Sequence, residues 1–288
     1  MYSGICNKTI ILSKINNKLH IGNTTNKQIT CNNLNKKNLI LSFLVRFSWE
    51  KILPFIKSII KANIQNCDTV IFVGEIKNSI IKYLESFGIF VYEVPNKYEN
   101  ISLTSYRWKV YNDFLKVRRE RYNIILSIDI KDSIFQNDIF NIYQVHEHFL
   151  AFSYEDAKIN EGITGYRILK VFGKELLETI KNERIINAGV IWGTENEFFK
   201  FSQILWEKLL IYPQNGDQYM VNYLVYQEHI LKKFIIFSDN YGPVITIGLT
   251  KRDHINLDSQ NNILNYKNQI VSIVHQYDRH KDLKIMIK

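Results

Sequence analysis

Cysteine is nearly absent from this chain. Cys6, Cys31 and Cys67 are the only three among 288 residues. The number is odd and no pair has the spacing of a metal knuckle, so a disulfide framework is excluded and a reducing compartment fits better. Long apolar runs are also missing. The longest, such as Asn38–Val45 and Phe234–Phe237, are strand-sized. None approaches the roughly 20 residues of a membrane helix, so no membrane span is expected. Met1–His20 lacks the charged-then-apolar-then-small order of a secretory signal, and the expected location is cytoplasmic. There is no internal repeat and no linker long enough to split the chain. No Gly-x-x-x-x-Gly-Lys loop is present to cradle phosphates.

What is present argues for a folded domain. Hydrophobic residues make up 46% and aromatics 13%, which excludes a disordered chain. The net charge of +9 fits nucleic acid, an anionic membrane surface or a phosphorylated ligand. The densest basic cluster, Lys116, Arg118, Arg119 and Arg121, reads first as the solvated face of a helix. Heavy use of Asn, Lys and Ile points to an AT-rich coding bias. That bias raises the basic count without any selection for nucleic acid.

Residues 1–37 are polar and Asn/Lys-rich. They read as a small hairpin appendage or loose extension, with a turn at Asn16-Asn17. From residue 38 to 288 the texture changes. Asn38–Val45, Thr69–Val73, Ile89–Val94 and Asn123–Ile128 read as strands. Trp49–Ala62, Asn78–Phe87 and Thr104–Glu120 read as helices between them. Pro54 either kinks the first of these helices or marks its first turn. Gly88 closes the second as a C-cap. Further on come Phe149–Ser153 (strand), Ile168–Ile180 (helix, broken at Gly173), Val190–Trp192 (strand), Glu195–Leu210 and Tyr219–Glu228 (helices), and the late strand Ile270–Val274. Strands alternating with helices predict an α/β fold, a parallel sheet with helices on its faces.

Four short segments carry chemistry. Asp129 and Asp132 stand three residues apart, just past an apolar strand. Hard divalent cations prefer oxygen ligands, so two carboxylates there suit Mg²⁺ or Mn²⁺. The plainer reading is a turn whose Asp side chains bond to backbone. His275 follows directly on a strand, where an imidazole serves as a metal ligand or simply packs. Asn187-Ala188-Gly189 brings small residues before a strand, which lets backbone approach a ligand closely. Asp217-Gln218 opens a helix that also carries Asn222, and Asp at or near an N-cap is the plainer reading there.

The order of these segments resembles that of the GT-A glycosyltransferases, especially family 8 and the neighbouring nucleotide-diphospho-sugar transferases. Those enzymes show an aspartate motif after an apolar strand, then Asn-Ser/Ala-Gly, then Asp-Gln with a following Asn, then a late His. Here the same order reads Asp129…Asp132, Asn187-Ala188-Gly189, Asp217-Gln218…Asn222 and His275. The segment Asp129–Phe140 and the Tyr106-Arg107-Trp108 helix before it resemble one subgroup. The resemblance spans roughly Asn38 to His280.

It implies a GT-A (Rossmann-like) fold: a mixed, mostly parallel sheet flanked by helices, in a single domain at 38–288 with a small appendage at 1–37. It implies transfer of a sugar from a nucleotide-diphosphate-sugar donor, with Mn²⁺ or Mg²⁺ as cofactor and retention of anomeric configuration. The acceptor would be an unidentified glycan, protein or lipid-linked molecule, in glycan biosynthesis, and no nucleic acid partner is expected. Asp129, Asp132 and His275 would form the metal shell. Asp217 and Gln218 would be catalytic, close to the anomeric carbon. Arg107, Asp129, Lys131, Asn187, Ala188 and Gly189 would bind the donor.

One position departs from the family. The usual Asp-x-Asp has Lys131 at its third position, with the second acid at Asp132. Either Asp132 takes the metal role after a small backbone shift, or Lys131 partly replaces the metal. Were the enzyme inverting, a general base would be needed, with Glu155, Asp156 and Glu161 as candidates, or else these form a solvated acidic loop. Lys131 also keeps open an inactive GT-A-fold binding or scaffold protein. A metal-dependent nuclease or phosphotransferase is the remaining alternative, disfavoured by the lack of an extra carboxylate cluster.

Overall fold

The computed structural model describes residues 36–94, 101–142, 148–212, 216–227 and 241–287, with backbone alone for 14–15, 18–19, 142 and 235–238. Two short strands, β1 (Lys14–Ile15) and β2 (Lys18–Leu19), pair antiparallel. The expected turn at Asn16-Asn17 lies outside the described residues.

The first half then alternates strand and helix. It runs β3 (Lys37–Val45), α1 (Trp49–Lys61), β4 (Cys67–Gly74), α2 (Asn78–Ser86), β5 (Phe90–Glu93), α3 (Leu103–Arg118) and β6 (Tyr122–Ile128). Pro54 is the sixth residue of α1, inside the helix rather than in its first turn. Gly88 adopts φ 75° just past α2, as a C-cap glycine does. The Ser102 hydroxyl accepts the Ser105 N–H and starts α3.

The second half adds β7 (Ser133–Phe135), the single turn α4 (Ile139–Ile142), β8 (Leu150–Lys158), α5 (Ile163–Ile180), β9 (Arg184–Thr194), α6 (Glu195–Ile211) and α7 (Asp217–Tyr226). The backbone of Gly173, at φ 88° and ψ 175°, breaks α5 where the sequence expects it. Then follow β10 (Ile235–Ser238), β11 (Val244–Thr246), the hairpin β12 (Asn256–Leu257) and β13 (Ile263–Leu264), β14 (Ile273–His275) and α8 (Lys281–Met286).

Seven strands form the main sheet in the order β10-β8-β9-β6-β3-β4-β5. Every pairing in it is parallel except the two made by β9, which runs against both β6 and β8. The side-chain alternation of β3 shows why both faces are covered. Leu39 and Leu41 pack with Trp108, Tyr111 and Leu115 of α3 and with α6 and α7. Ile40 and Leu44 point the other way, onto Ile52, Phe55 and Ile56 of α1 and Leu84 of α2. Burying each such side chain contributes about 1.5–3 kcal/mol. A smaller sheet, β11-β14-β7, stands beside the carboxyl end of β6. No helix among the described residues is long and apolar enough to cross a membrane.

Candidate active site

The chain order of β6 and β7 and the register of β14 build one acidic corner. Asp129 directly follows β6, and Asp132 directly precedes β7. In the antiparallel β14–β7 pair, His275 stands opposite Ser133. The Gln276 N–H donates to the Asp132 carbonyl at 2.7 Å and locks that register. The His275 Nε2 therefore lies 3.4 Å from Asp132 Oδ1 and 3.9 Å from Asp129 Oδ2. One ligand atom from each of Asp129, Asp132 and His275 falls within 4.8 Å of the other two.

The donor set fits a divalent cation. It offers two hard carboxylates and one imidazole nitrogen. The Nε2 of His275 is buried and makes no well-formed hydrogen bond, with Asp132 Oδ1 as its nearest carboxylate at 3.4 Å, so a cation between them would satisfy it. Burial opposes a charge on His275, but Asp132, Asp129 and Glu155 outweigh it and raise its pKa. Burial likewise opposes the Asp132 charge, yet His275, Lys131 and Arg279 hold that carboxyl below its usual range. Asp132 itself, not Lys131, supplies the second carboxylate of the cluster. The Lys131 ammonium lies 3.8 Å from Asp278 Oδ2, beside the cluster.

Asn187-Ala188-Gly189 does not lead into a strand but lies within one, because β9 starts at Arg184. The sequence reading missed this because the segment bulges. Phe152 of β8 pairs with Ile191, and the next residue, Ser153, pairs with Asn187, so 188–190 face no β8 partner. The bulge turns this backbone toward the acidic corner. The Gly189 carbonyl accepts the Asp129 N–H at 2.8 Å, and its own N–H donates to Asn187 Oδ1 at 2.6 Å. A Cβ on Gly189 would sit 2.4 Å from His275 Cε1 and 2.8 Å from Asp129 Oδ2. Only glycine fits there.

Arg107 and Asp217 meet across 110 residues. Arg107 is 5% exposed. Its Nε and Nη2 donate to Asp217 Oδ2, Nη2 also donates to the Ala188 carbonyl, and Nη1 donates to Asp129 Oδ1. The Trp108 indole N–H adds a further bond to Asp217 Oδ2 at 2.8 Å. Asp217 is the first residue of α7, with Gly216 as the N-cap, so helix capping is not the task of its side chain. Burial opposes the Arg107 charge, but the two carboxylates more than offset that and keep the guanidinium charged. With four N–H groups committed to protein, Arg107 organises the corner instead of standing free for a phosphate.

Gln218 and Glu155 form a second polar knot. Gln218 Oε1 accepts the Ala188 N–H, while its Nε2 donates to the Ile186 carbonyl and to Glu155 Oε1. Asn222, one turn along α7, clasps both backbone groups of Ile186 and holds the helix in place. Asn187 Nδ2 donates to Glu155 Oε1 at 2.8 Å. Glu155 is buried on β8, whereas Asp156 and Glu161 are exposed. The solvated-loop reading therefore fails for Glu155. Among the described residues, Glu155 Oε2 and Asp217 Oδ1 accept no hydrogen bond.

Burial pushes the Glu155 carboxyl above its ordinary range, against the pull of Asn187, His275 and Gln218. A raised folded pKa favours the protonated form. Parent stability then falls as pH rises from the unfolded value of about 4.3 through the folded one. Glu155→Gln keeps an oxygen for both amide donors and removes this loss. Its stability gain over the parent, read by urea unfolding in EDTA, should start near zero at about pH 4 and grow with pH. A gain that stays constant with pH would refute the assignment.

Lys116, Arg118 and Arg121 are exposed, as a solvated helix face predicts. The Arg118 guanidinium lies over Phe114 and that of Arg119 over Phe199. A separate cavity of about 650 Å³ opens where β3 and β4 end, lined by Arg46, Phe47, Trp49, Lys77 and Tyr83 among others. None of the corner residues lines it.

No protein-family model and no curated protein matches the sequence. Solved structures share its fold. The apo structure of the bifunctional glycosyltransferase WbbM aligns with a TM-score of 0.52 and 13% identity, over 89% of this chain and 48% of that one. An active-site mutant of LgtC aligns with a TM-score of 0.50 and 13% identity, over 82% of this chain and 86% of that one. The glycosyltransferase GlyE of Streptococcus pneumoniae TIGR4 gives 0.48 and 16%, over 84% of this chain and 55% of that one. The chain thus spans about half the length of GlyE and WbbM. Together with the mostly parallel sheet covered by helices on both faces, the likenesses to WbbM and LgtC give the chain the GT-A fold.

Proposed function

We propose that this protein is a glycosyltransferase that takes a sugar from a nucleoside-diphosphate donor with the help of a divalent metal, Mn²⁺ or Mg²⁺. The observation that carries the reading is the convergence of Asp129, Asp132 and the buried His275 Nε2 at the carboxyl edge of the sheet. In open α/β sheets ligands bind at that edge. Residues 38–288 form the transferase unit and 1–37 an appendage.

Departure of a nucleoside diphosphate builds negative charge on a phosphate oxygen. A cation held by Asp129, Asp132 and His275 would neutralise it. The protein's own groups do the rest. Gly189 keeps the corner open. Arg107 fixes Asp129 and Asp217 in position. Asp217 Oδ1 and Glu155 Oε2 remain to accept from sugar hydroxyls, on either side of Gln218. Gln218 has both N–H donors and one Oε1 lone pair committed, so it offers the sugar only the remaining Oε1 lone pair. Lys131 and the net positive charge favour an anionic donor. The aromatic cavity beside β3 suits a nucleobase, with Trp49 and Tyr83 packed edge to face at 4.5 Å. Retention of configuration is the stereochemistry we assign. The acceptor is a glycan, a protein or a lipid-linked molecule.

Thermal unfolding with UDP, GDP, CDP and dTDP, each with Mn²⁺ and with EDTA, tests the reading. One nucleotide at 100 times its dissociation constant should add about 2.7 kcal/mol, roughly 5–10 °C, only when Mn²⁺ is present. A shift that survives EDTA would transfer the charge-stabilising role to Lys131. No shift with any nucleotide would refute a working transferase.

A further inference from the structure

His275 is tied from behind as well as from the front. Its Nδ1 faces Thr246 Oγ1 at 3.4 Å, and Thr246 Oγ1 lies 2.7 Å from Ser153 Oγ. The three residues come from β14, β11 and β8, and each is about 1% exposed. Thr246 stands directly opposite His275 in the parallel β11–β14 pair. Ser153 belongs to the main sheet, at the residue where β8 resumes pairing after the β9 bulge. The chain of side chains thus runs from the main sheet, through the small one, to the acidic corner.

The chemistry of the ring makes this contact consequential. A neutral imidazole carries one N–H. With the proton on Nε2, the ring has no lone pair for a cation in the corner. With it on Nδ1, the Nε2 lone pair faces Asp129 and Asp132. A threonine hydroxyl has one proton to give. When Thr246 gives it to Ser153 Oγ, a lone pair is left toward Nδ1, and that lone pair only accepts. We infer that the Ser153–Thr246 hydroxyl pair selects the Nδ1–H form of His275 and so presents Nε2 as a cation ligand. This rests on the metal reading given above. Thr246 and Ser153 are positioning residues, since both act through His275. Comparable partners behind metal-bound histidines change affinity by 10–100-fold when removed.

Mn²⁺ binding to the nucleotide-free protein, followed by the loss of the free-ion electron paramagnetic resonance signal, tests the inference. Thr246→Val keeps the shape and removes the hydroxyl. It should weaken Mn²⁺ binding about 10–100-fold. Thr246→Ser should restore binding to within a few-fold, and Ser153→Ala should fall between. Unfolding midpoints in EDTA confirm that each variant folds. In parallel, ¹⁵N shifts of labelled histidine in the protein loaded with diamagnetic Mg²⁺ should show a hydrogen-bonded Nδ1–H in the parent and a displaced Nδ1 shift in Thr246→Val. Parental Mn²⁺ affinity in Thr246→Val, with binding lost in His275→Ala, would overturn the inference and leave the metal site standing. A parent that binds no Mn²⁺ would overturn the metal reading and this inference with it.

Discussion

His275→Ala and Asp132→Ala should each lower metal-dependent sugar transfer by about 10²–10³-fold, the loss seen when one charge-stabilising group leaves an active site. Gly189→Ala should do the same for a different reason. Its methyl would meet the His275 ring at 2.4 Å and the Asp129 carboxylate at 2.8 Å. Both distances are far inside van der Waals contact, and the two groups stand against it from β14 and from the turn after β6. Either His275 or Asp129 must move, and the three ligand atoms no longer converge. The variants separate when Mn²⁺ is raised. His275→Ala keeps two carboxylates and an open corner, so excess metal should recover part of the rate. Gly189→Ala keeps all three ligands but not the space between them, so excess metal should recover little. The measurement is the initial rate of donor turnover against Mn²⁺ concentration, for variants checked by their unfolding midpoints. A parental rate in His275→Ala would remove the corner from the reaction.

Much of this architecture was legible because its signals are local. The apolar runs of β3, β4 and β6, and the helical spacing of Ile52, Phe55 and Ile56, report a sheet covered on both faces. Gly88 and Gly173 mark φ values near 75° and 88° that only glycine adopts cheaply. The reading failed where polar residues sit inside strands. β8 runs through Tyr154–Lys158, which has no apolar run, so Glu155 looked like part of a loop. β9 begins six residues before Val190, and its bulge reads in sequence as a turn. Asp129, Asp132 and His275 could be named in advance from their order, but not their convergence, which depends on the β14–β7 register. The contacts behind them left no sequence signal at all. Thr246 lies 29 residues from His275, Ser153 lies 93 from Thr246, and Arg107 lies 110 from Asp217. Nothing in a hydroxyl's or a guanidinium's neighbours along the chain announces such partners.

The Arg107–Asp217 pair should prove the most costly single interaction to break. Arg107→Ala strips the Nε and Nη2 donors from Asp217 Oδ2 and leaves only the Trp108 indole N–H. It also removes the guanidinium beside Asp129. Asp217 is almost wholly buried, so its charge cannot turn to water instead. Breaking a buried pair in this way costs about 3–5 kcal/mol, which lowers the unfolding midpoint by roughly 10 °C. Arg107→Lys keeps the charge but loses the planar fork that reaches Asp217, Asp129 and the Ala188 carbonyl together. It should fall between parent and alanine. Removing both charges, in Arg107→Leu with Asp217→Leu, leaves neither partner stranded on that side. The double variant should therefore be less damaged than the sum of the two leucine variants by about 1–3 kcal/mol. Urea unfolding of the four proteins of that cycle, in EDTA, gives the coupling directly. Additive costs would mean that the two residues stabilise the fold independently and that their ion pair does not order the corner. A strong coupling, with turnover lost even in Arg107→Lys, would assign to this helix-to-helix clamp the placement of the carboxylates on which sugar transfer depends.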